Sequence, residues 1–485
     1  MNTTPPFPPE LWEQTPIAVR EYIRALEARV AALEATVQQL LERLHQDSHN
    51  SSRPPSSDPP HAMPQRPRRV PSGRKRGGQP GHQGQSRALV PIEEVDTVIP
   101  VKPRQCRRCQ HPLQGDDPQP YRHQVTEVPP IKPVVTEYQL HRLICPACGM
   151  PTRAALPLGV APGSFGPRVQ AIVALCTGAY RLSKRTTREV MADLFGLPMS
   201  LGTIPHLEQA TAQAIAAPVA DAQAYVRAQP VAHLDETGWR EGRARAWLWV
   251  AVTTWVTVFV VRLSRGAKVA EELLGERFCG VLVTDRWSAY TWYPTRWRQV
   301  CWAHLLRDFE AMIERGGPSQ AIGERLREQA QQMFHAWHRV RDGTLTHAQF
   351  RVVMRPIRCA VARWLKAGQI CGVAKTEGVC REVLKVYDAL WTFVRVEGVE
   401  PTNNAAERAI RPGVLWRKGS FGTQSAQGSR FVETMMTVVA TLKQQHRNIL
   451  AYMTDACQAA YTDMPAPSLL PCHSTAQAAH QPVAA

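Results

Sequence analysis

Beyond Pro230 the hydrophobic period shortens to two, and this change narrows the fold more than any other feature of the chain. VAHLDETGW, RAWLWVAVTTW and VTVFVVRLS read as three successive strands. A helix over Ala267 to Leu274 follows, then a strand VLVTD ending at Asp285 and a strand RQVCW that runs into the helix LLRDFEAMI. Three strands and then alternating helix and strand predict a mixed α/β sheet. The apolar run Ala246 to Val261, bounded by Arg245 and Arg262, falls short of the roughly 20 residues of a spanning helix and is rich in Val and Thr. It reads as buried strand. Residues 315–400 are almost wholly helical, which splits the sheet domain into 229–314 and 401–461 around a helical insertion.

Upstream, Ile23, Leu26, Val30, Leu33, Val37, Leu40 and Leu44 alternate spacings of three and four, as a heptad repeat requires. With Ile23, Val30 and Val37 at a and Leu26, Leu33 and Leu40 at d, residues 1–48 are expected to form a parallel two-stranded coiled coil, hence a homodimer or higher homo-oligomer. Residues 49–104 are rich in Pro, Ser, Gly and Arg and cannot build a core. Within them Arg66, Arg68, Arg69, Arg74, Lys75 and Arg76 occur without one acid, which suits phosphate binding by charge and not base readout. The whole chain carries 58 Lys and Arg against 41 Asp and Glu, a net +17 that favours a polyanion, and nucleic acid first.

Cys106-Arg-Arg-Cys109 and Cys145-Pro-Ala-Cys148 bracket an alternating, β-rich stretch from Val125 to Ile144. Four thiolates can close a tetrahedral structural zinc site, so 105–158 is expected to be a small zinc-binding, zinc-ribbon-like domain. Four sulfurs leave no open position for catalysis. Gly149 suits the turn after the second pair, whereas Gln110 follows the first. Residues 159–228 read as helical, with a helix over Thr186 to Phe195, a turn at Gly196-Leu197-Pro198 and a second helix capped by Thr203, the pattern of a DNA-reading helix-turn-helix or of an ordinary helical hairpin. The N-terminus lacks a basic region followed by an apolar one, so no secretory signal is expected, and 462–485 reads as a disordered tail.

Three acids stand out by position. Asp235 is expected at the end of the first strand, Asp285 at the end of a later one, and Glu407 in the first turns of a helix that Thr402 or Asn403 could cap. Carboxylates at adjacent strand ends, joined by one from a packing helix, can hold two divalent cations for phosphoryl transfer. The strings NSSRPPSSD (Asn50 to Asp58), GGQPGHQG (Gly77 to Gly84), both cysteine pairs, HLDETGW (His233 to Trp239), TDRWSAY (Thr284 to Tyr290), CWAHLLRDF (Cys301 to Phe309) and NNAAERAIRP (Asn403 to Pro412) occur in an order that resembles bacterial DDE transposases of the insertion sequence 66 family, from about residue 20 to 460. The resemblance implies a ribonuclease H-like catalytic core, a zinc domain, and a DDE triad of Asp235, Asp285 and Glu407 holding two magnesium ions, with manganese as a substitute. It further implies terminal-repeat and target DNA as partners, companion proteins of the same element, and a cytoplasmic, nucleoid-associated location. Gln110 and the string RKGSF (Arg417 to Phe421) depart from the family pattern.

Neighbouring residues have competing roles. Strand alternation sends Glu236 to the face opposite Asp235. Cys301 and His304 form a Cys-x-x-His expected either to order the core or to bind a second zinc. Arg411 could pair with Glu407, or Arg408 and Arg411 could meet DNA phosphate. Asn403 and Asn404 could cap their helix or position a base, and Trp239, Trp287 and Trp302 could be core rings or stacking rings.

Overall fold

In a computed structural model the described residues are 9–44, 46, 51–53 and 88–471, so the basic segment 66–76 and the string at Gly77 to Gly84 lie outside them. They fall into two units, Met63–Val134 and the combination of Met1–Ala62 with Val135–Ala485.

The first unit holds the Cys106 pair in a tight turn whose flanks meet in a bridge between Gln105 and Pro112. In the second, a short helix α1 (Pro9–Gln14) precedes the single long helix α2 (Ile17–Leu44), and the Arg24 guanidinium stacks over the Trp12 ring. Around the second cysteine pair, β1 (Arg142–Ile144) and β2 (Pro151–Arg153) form a two-stranded ribbon. The β-rich stretch expected from Val125 therefore shrinks to its last three residues. Pro129, Pro130 and Pro133 interrupt the donors that a ladder needs, and Val125, Val134 and Val135 stand exposed.

Four helices follow: α3 (Pro167–Gly178), α4 (Lys184–Phe195), α5 (Thr203–Ala214) and α6 (Ala216–Arg227). The Ser183 side chain caps α4 by accepting from the Thr186 N–H, and Gly196 ends it in the left-handed conformation. Thr203 is not the cap of α5; Gly202 holds that position, and the Ser200 hydroxyl accepts from the Thr203 N–H.

The central sheet comprises β3 (Val231–Glu241), β4 (Ala244–Val252) and β5 (Thr257–Arg262), then, after α7 (Ala267–Leu274), β6 (Val281–Thr284) and β7 (Arg298–Val300). Its order is β5-β4-β3-β6-β7, with β3, β4 and β5 antiparallel and β6 and β7 parallel to β3. This is a mixed α/β domain, as the strand pattern predicts. The chain continues through α8 (Trp302–Glu314) into the insertion, α9 (Gly317–Arg341), α10 (His347–Gly368), α11 (Ala374–Lys385) and α12 (Thr392–Arg395). It returns through α13 (Asn404–Ser420), α14 (Ala426–Gln444) and α15 (Ile449–Thr462).

Both sheet faces are covered. Trp249, Ala251, Val258 and Val260 meet α6 and α7 on one side, while Leu248, Val250, Phe259 and Val261 meet α13 and α14 on the other. The outer edge of β5 is closed by side chains: Glu433, Thr437 and Thr441 of α14 accept from the N–H groups of Val261, Phe259 and Thr257 at 2.6, 2.9 and 3.1 Å. The match is geometric, since four residues of helix and two of strand each advance about 6 to 7 Å. At the opposite edge the insertion closes β7, where Thr392 Oγ1 donates to the Arg298 carbonyl at 2.6 Å and the Phe393 N–H to Gln299 Oε1 at 2.9 Å.

The stretch after α15 departs in part from the expected disordered tail. Leu469 is fully buried and Tyr452 Oη donates to the Pro467 carbonyl at 2.8 Å, while 472–485 lie outside the described residues. Among the described residues no helix is long and apolar enough to cross a membrane.

Candidate active site

The register of the sheet sets the first two acids. Val231, Ala232 and His233 of β3 pair with Val281, Leu282 and Val283 of β6, and continuing two residues brings Asp235 level with Asp285. On the other side Thr284 pairs with Val300, so Cys301 follows level with Asp285. Strands lie about 4.8 Å apart, so three candidate side chains stand in a row across the sheet. Asp235 lies within β3 and not at its end, because Glu236 to Glu241 continue the hairpin with β4 after β6 has stopped.

Backbone donors fix both carboxylates: Asp235 Oδ1 accepts from the Glu236 N–H and Asp285 Oδ1 from the Trp287 N–H, each at 2.9 Å. The Asp285 backbone is held by a fully buried arginine that sequence reasoning passed over. Arg298 donates to the Asp285 carbonyl at 2.7 Å, to Thr284 Oγ1 at 3.0 Å and to the Tyr290 carbonyl at 3.2 Å. Nothing in a polar residue opening a short strand distinguishes this one from a surface arginine.

Glu407 arrives from α13, and Asn403 anchors that helix. Asn403 occupies the N-cap position but its side chain does not cap. It donates instead to the Leu234 carbonyl at 2.7 Å and meets His233 Nδ1 at 3.2 Å, while its backbone N–H donates to Cys301 Sγ at 3.1 Å. The first turn of α13 is thereby pinned to β3 and to the end of β7. Asn404 is exposed and makes no such bridge.

The resulting cluster is electrostatically costly. Burial raises the Asp235 carboxyl well above the ordinary range, and Glu236, Asp285 and Glu407 add repulsion. Glu407 Oε1 lies 3.5 Å from His304 Nδ1 and 3.8 Å from Arg307, yet both Glu407 Oε1 and His304 Nδ1 are buried without a hydrogen-bond partner. Cys301, His304 and Glu407 bring one ligand atom each within 4.8 Å of one another, a potential metal-coordinating cluster. Burial pushes the Cys301 thiol up to about 11 and lowers His304. Acids this crowded, with an orphaned carboxylate oxygen among them, fit a cation.

Other expectations fare unequally. Glu236 does face away from Asp235: it pairs with Arg265 at 2.8 Å and accepts from the buried Tyr290 hydroxyl, and burial raises its carboxyl to about 7. Arg411 does not pair with Glu407, whose cationic neighbours come from α8; Arg408 and Arg411 are exposed on α13. Trp239 and Trp302 are core rings, whereas Trp287 remains exposed.

The cysteine pairs fall in different units, Cys106 and Cys109 in one and Cys145 and Cys148 in the other. Their local structures match. Cys106 N–H donates to the His111 carbonyl and Gln110 N–H to the Cys106 carbonyl, both at 2.9 Å; the Cys145 pair repeats this with Met150 and Gly149 at 3.0 and 2.8 Å. Gln110 takes φ 59° and Gly149 φ 70°, so glutamine tolerates the left-handed position that glycine fills in the second turn. Backbone N–H groups of Cys109 and Arg108, and of Cys148 and Ala147, lower the Cys106 and Cys145 thiols. Such turns favour thiolate.

Residues 9–88 match a family of unknown function (DUF6444). Over 226 residues the chain is 28% identical to the uncharacterized protein y4qI of Sinorhizobium fredii (strain NBRC 101917 / NGR234), an alignment covering 41% of this chain and 41% of the relative. The chain thus spans well under half the length of that relative. Residues 162–430, which contain the whole sheet, the insertion and the three acids, match the model of the transposase IS66 family, and the chain belongs to that family.

Proposed function

We propose that this chain is a DNA transposase that hydrolyses the phosphodiester at the ends of its element and joins the freed 3′ hydroxyl to target DNA. The parallel β3–β6 register, which sets Asp235 level with Asp285, together with the Glu407 Oε1 that is buried without a hydrogen bond, carries the reading. The sheet order, half antiparallel and half parallel, supports a ribonuclease H-like core with α9 to α12 as its insertion. Asp235, Asp285 and Glu407 would hold two magnesium ions, or manganese, through oxygen donors. Such ions supply activation of the nucleophile and stabilisation of the leaving oxygen. Asn403 and Arg298 keep the acids in register, and the exposed Arg408 and Arg411 would meet the DNA backbone.

The test is a labelled element-end duplex incubated in magnesium with any companion proteins. Cleavage followed by strand transfer is expected. Cleavage alone would make the chain a nuclease, and binding without cleavage would favour a DNA-binding protein descended from a transposase.

Two accessory parts complete the proposal. Structural zinc, one ion per chain, remains the expectation from the sequence, and each cysteine turn taken by itself supports it by favouring thiolate. Serine at Cys106 or Cys145 should release it, since thiolates supply the folding energy of such sites. Freshly purified protein free of zinc by metal analysis would overturn this. Residues 66–76 should bind phosphate without reading sequence. Neutralising Arg68, Arg69, Arg74 and Lys75 should weaken binding to every duplex alike and reduce the salt slope by roughly 0.9 per lost contact. Loss of the cognate end alone, at an unchanged slope, would show base recognition instead.

A further inference from the structure

The cluster of Cys301, His304 and Glu407 is a ligand set that magnesium does not choose. Magnesium takes oxygen donors and keeps several waters, whereas a thiolate, an imidazole and a carboxylate together suit zinc. Two helix starts bring the three together: Cys301 is the N-cap of α8, His304 lies in its first turn, and Glu407 lies in the first turn of α13. The Asn403 N–H donates to Cys301 Sγ at 3.1 Å, so the residue that anchors α13 also fixes the sulfur, as outer hydrogen bonds do around metals. Distances agree with a single ion. Two ligands about 2.1 Å from a tetrahedral ion stand roughly 3.4 Å apart. His304 Nδ1 lies 3.5 Å from Glu407 Oε1. All three ligand atoms fall within 4.8 Å of one another, so the sulfur has to close by roughly 1 Å at most to reach bonding distance.

The same atoms are unsatisfied by the protein. His304 Nδ1 and Glu407 Oε1 are both buried without a hydrogen bond, and Arg307, 3.8 Å from Glu407 Oε1, is too far to supply one. A cation between them answers both. Its consequence lies in Glu407, which is also the third acid of the magnesium reading. We propose that Cys301, His304 and Glu407 bind zinc, and that this ion withdraws Glu407 from magnesium and holds cleavage off while it is bound. The inhibitory half rests on the transposase reading above; the site does not. Binding releases the Cys301 thiol proton to solvent, and thiolate and carboxylate then balance the two charges of the ion. Soft donors give zinc the advantage even where magnesium is in large excess. The fourth position of the ion is left to water.

Cobalt(II), which enters zinc sites and is coloured there, reads the site without any catalysis. Full-length wild type and the Cys301→Ser, His304→Ala and Glu407→Gln proteins, each checked for a cooperative unfolding transition, are titrated with cobalt. Each variant should bind one ion fewer per chain than wild type, and Cys301→Ser should also lose intensity in the sulfur-to-cobalt charge-transfer band. Any ion held by the Cys106 and Cys145 pairs is common to the four proteins and cancels in the difference. Zinc-edge X-ray absorption of the wild type, which needs no variant, should show nitrogen or oxygen scatterers beside sulfur. A few equivalents of zinc should then slow magnesium-dependent cleavage by wild type about tenfold or more, whereas His304→Ala should keep whatever rate it has. Equal cobalt content and spectra in all four proteins, zinc that binds without slowing cleavage, or equal inhibition of wild type and His304→Ala would overturn the inference. If the cobalt difference appears yet wild type cuts nothing in magnesium alone, the site stands and its inhibitory role falls with the transposase reading.

Discussion

Asp285→Asn should abolish end cleavage and strand transfer together, each falling by orders of magnitude, while end DNA is still bound. The carboxylate sits one residue past β6, on a backbone clamped by Arg298, so the amide inherits its position and loses only charge. Asp235→Asn and Glu407→Gln should behave alike. Each removes one negative donor from a cluster whose mutual repulsion a cation would relieve, so metal affinity drops and both oxygens of the in-line reaction lose stabilisation. The apo fold should not suffer. Relief of like-charge crowding would leave thermal stability unchanged or raise it, and affinity for DNA without metal should hold or rise slightly as repulsion from phosphate falls. Cleavage of a labelled element end, scored beside a gel-shift titration, reads both halves. Wild-type cutting and joining by the Asp285→Asn protein would remove Asp285 from the ligand set.

Val30→Asp with Val37→Asp should convert the protein to a monomer. In α2 these residues are 52% and 53% exposed, and Leu26, Leu33 and Leu40 beside them are exposed as well, so one stripe of a 28-residue helix is apolar and open. Burying each valine in a two-stranded seam contributes roughly 1.5 to 3 kcal/mol. Aspartates at a would instead oppose one another across the seam without a counter-charge. Light scattering should report half the wild-type mass for the double variant. Equal masses would mean that another surface holds the assembly or that none forms.

The sheet was legible because its signals are local. Strand alternation, the apolar run between Arg245 and Arg262 and the turns around α4 are written in consecutive residues. The three acids were legible through motif strings, but the parallel register that sets Asp235 level with Asp285 and the Asn403 contacts that bring α13 and Glu407 to them are encoded by no local signal. What the sequence hid depends on distant partners. Asn403 reads as a cap because asparagine caps helices, but Leu234 and His233, far off in the chain, claim its side chain. Glu407 reads as a partner of Arg411 by helical spacing, yet α8 brings His304 and Arg307 closer. Leu469 reads as tail because its neighbours are Pro and Ser, although it finds a pocket between helices.

The closed edges of the sheet have a consequence for how copies of this chain can meet. A strand with unsatisfied backbone groups is promiscuous, since any extended segment can join it whatever its side chains. Here α14 side chains take up the N–H groups of Thr257, Phe259 and Val261 along β5, and the insertion lies against β7 through Arg298 and Gln299, so both edges are covered against another backbone. Association is left to side-chain surfaces such as the stripe on α2, where partner choice is encoded residue by residue. If the proposed transposase gathers two DNA ends, its copies would meet on terms set by side chains, without the indiscriminate strand pairing that leads to aggregates.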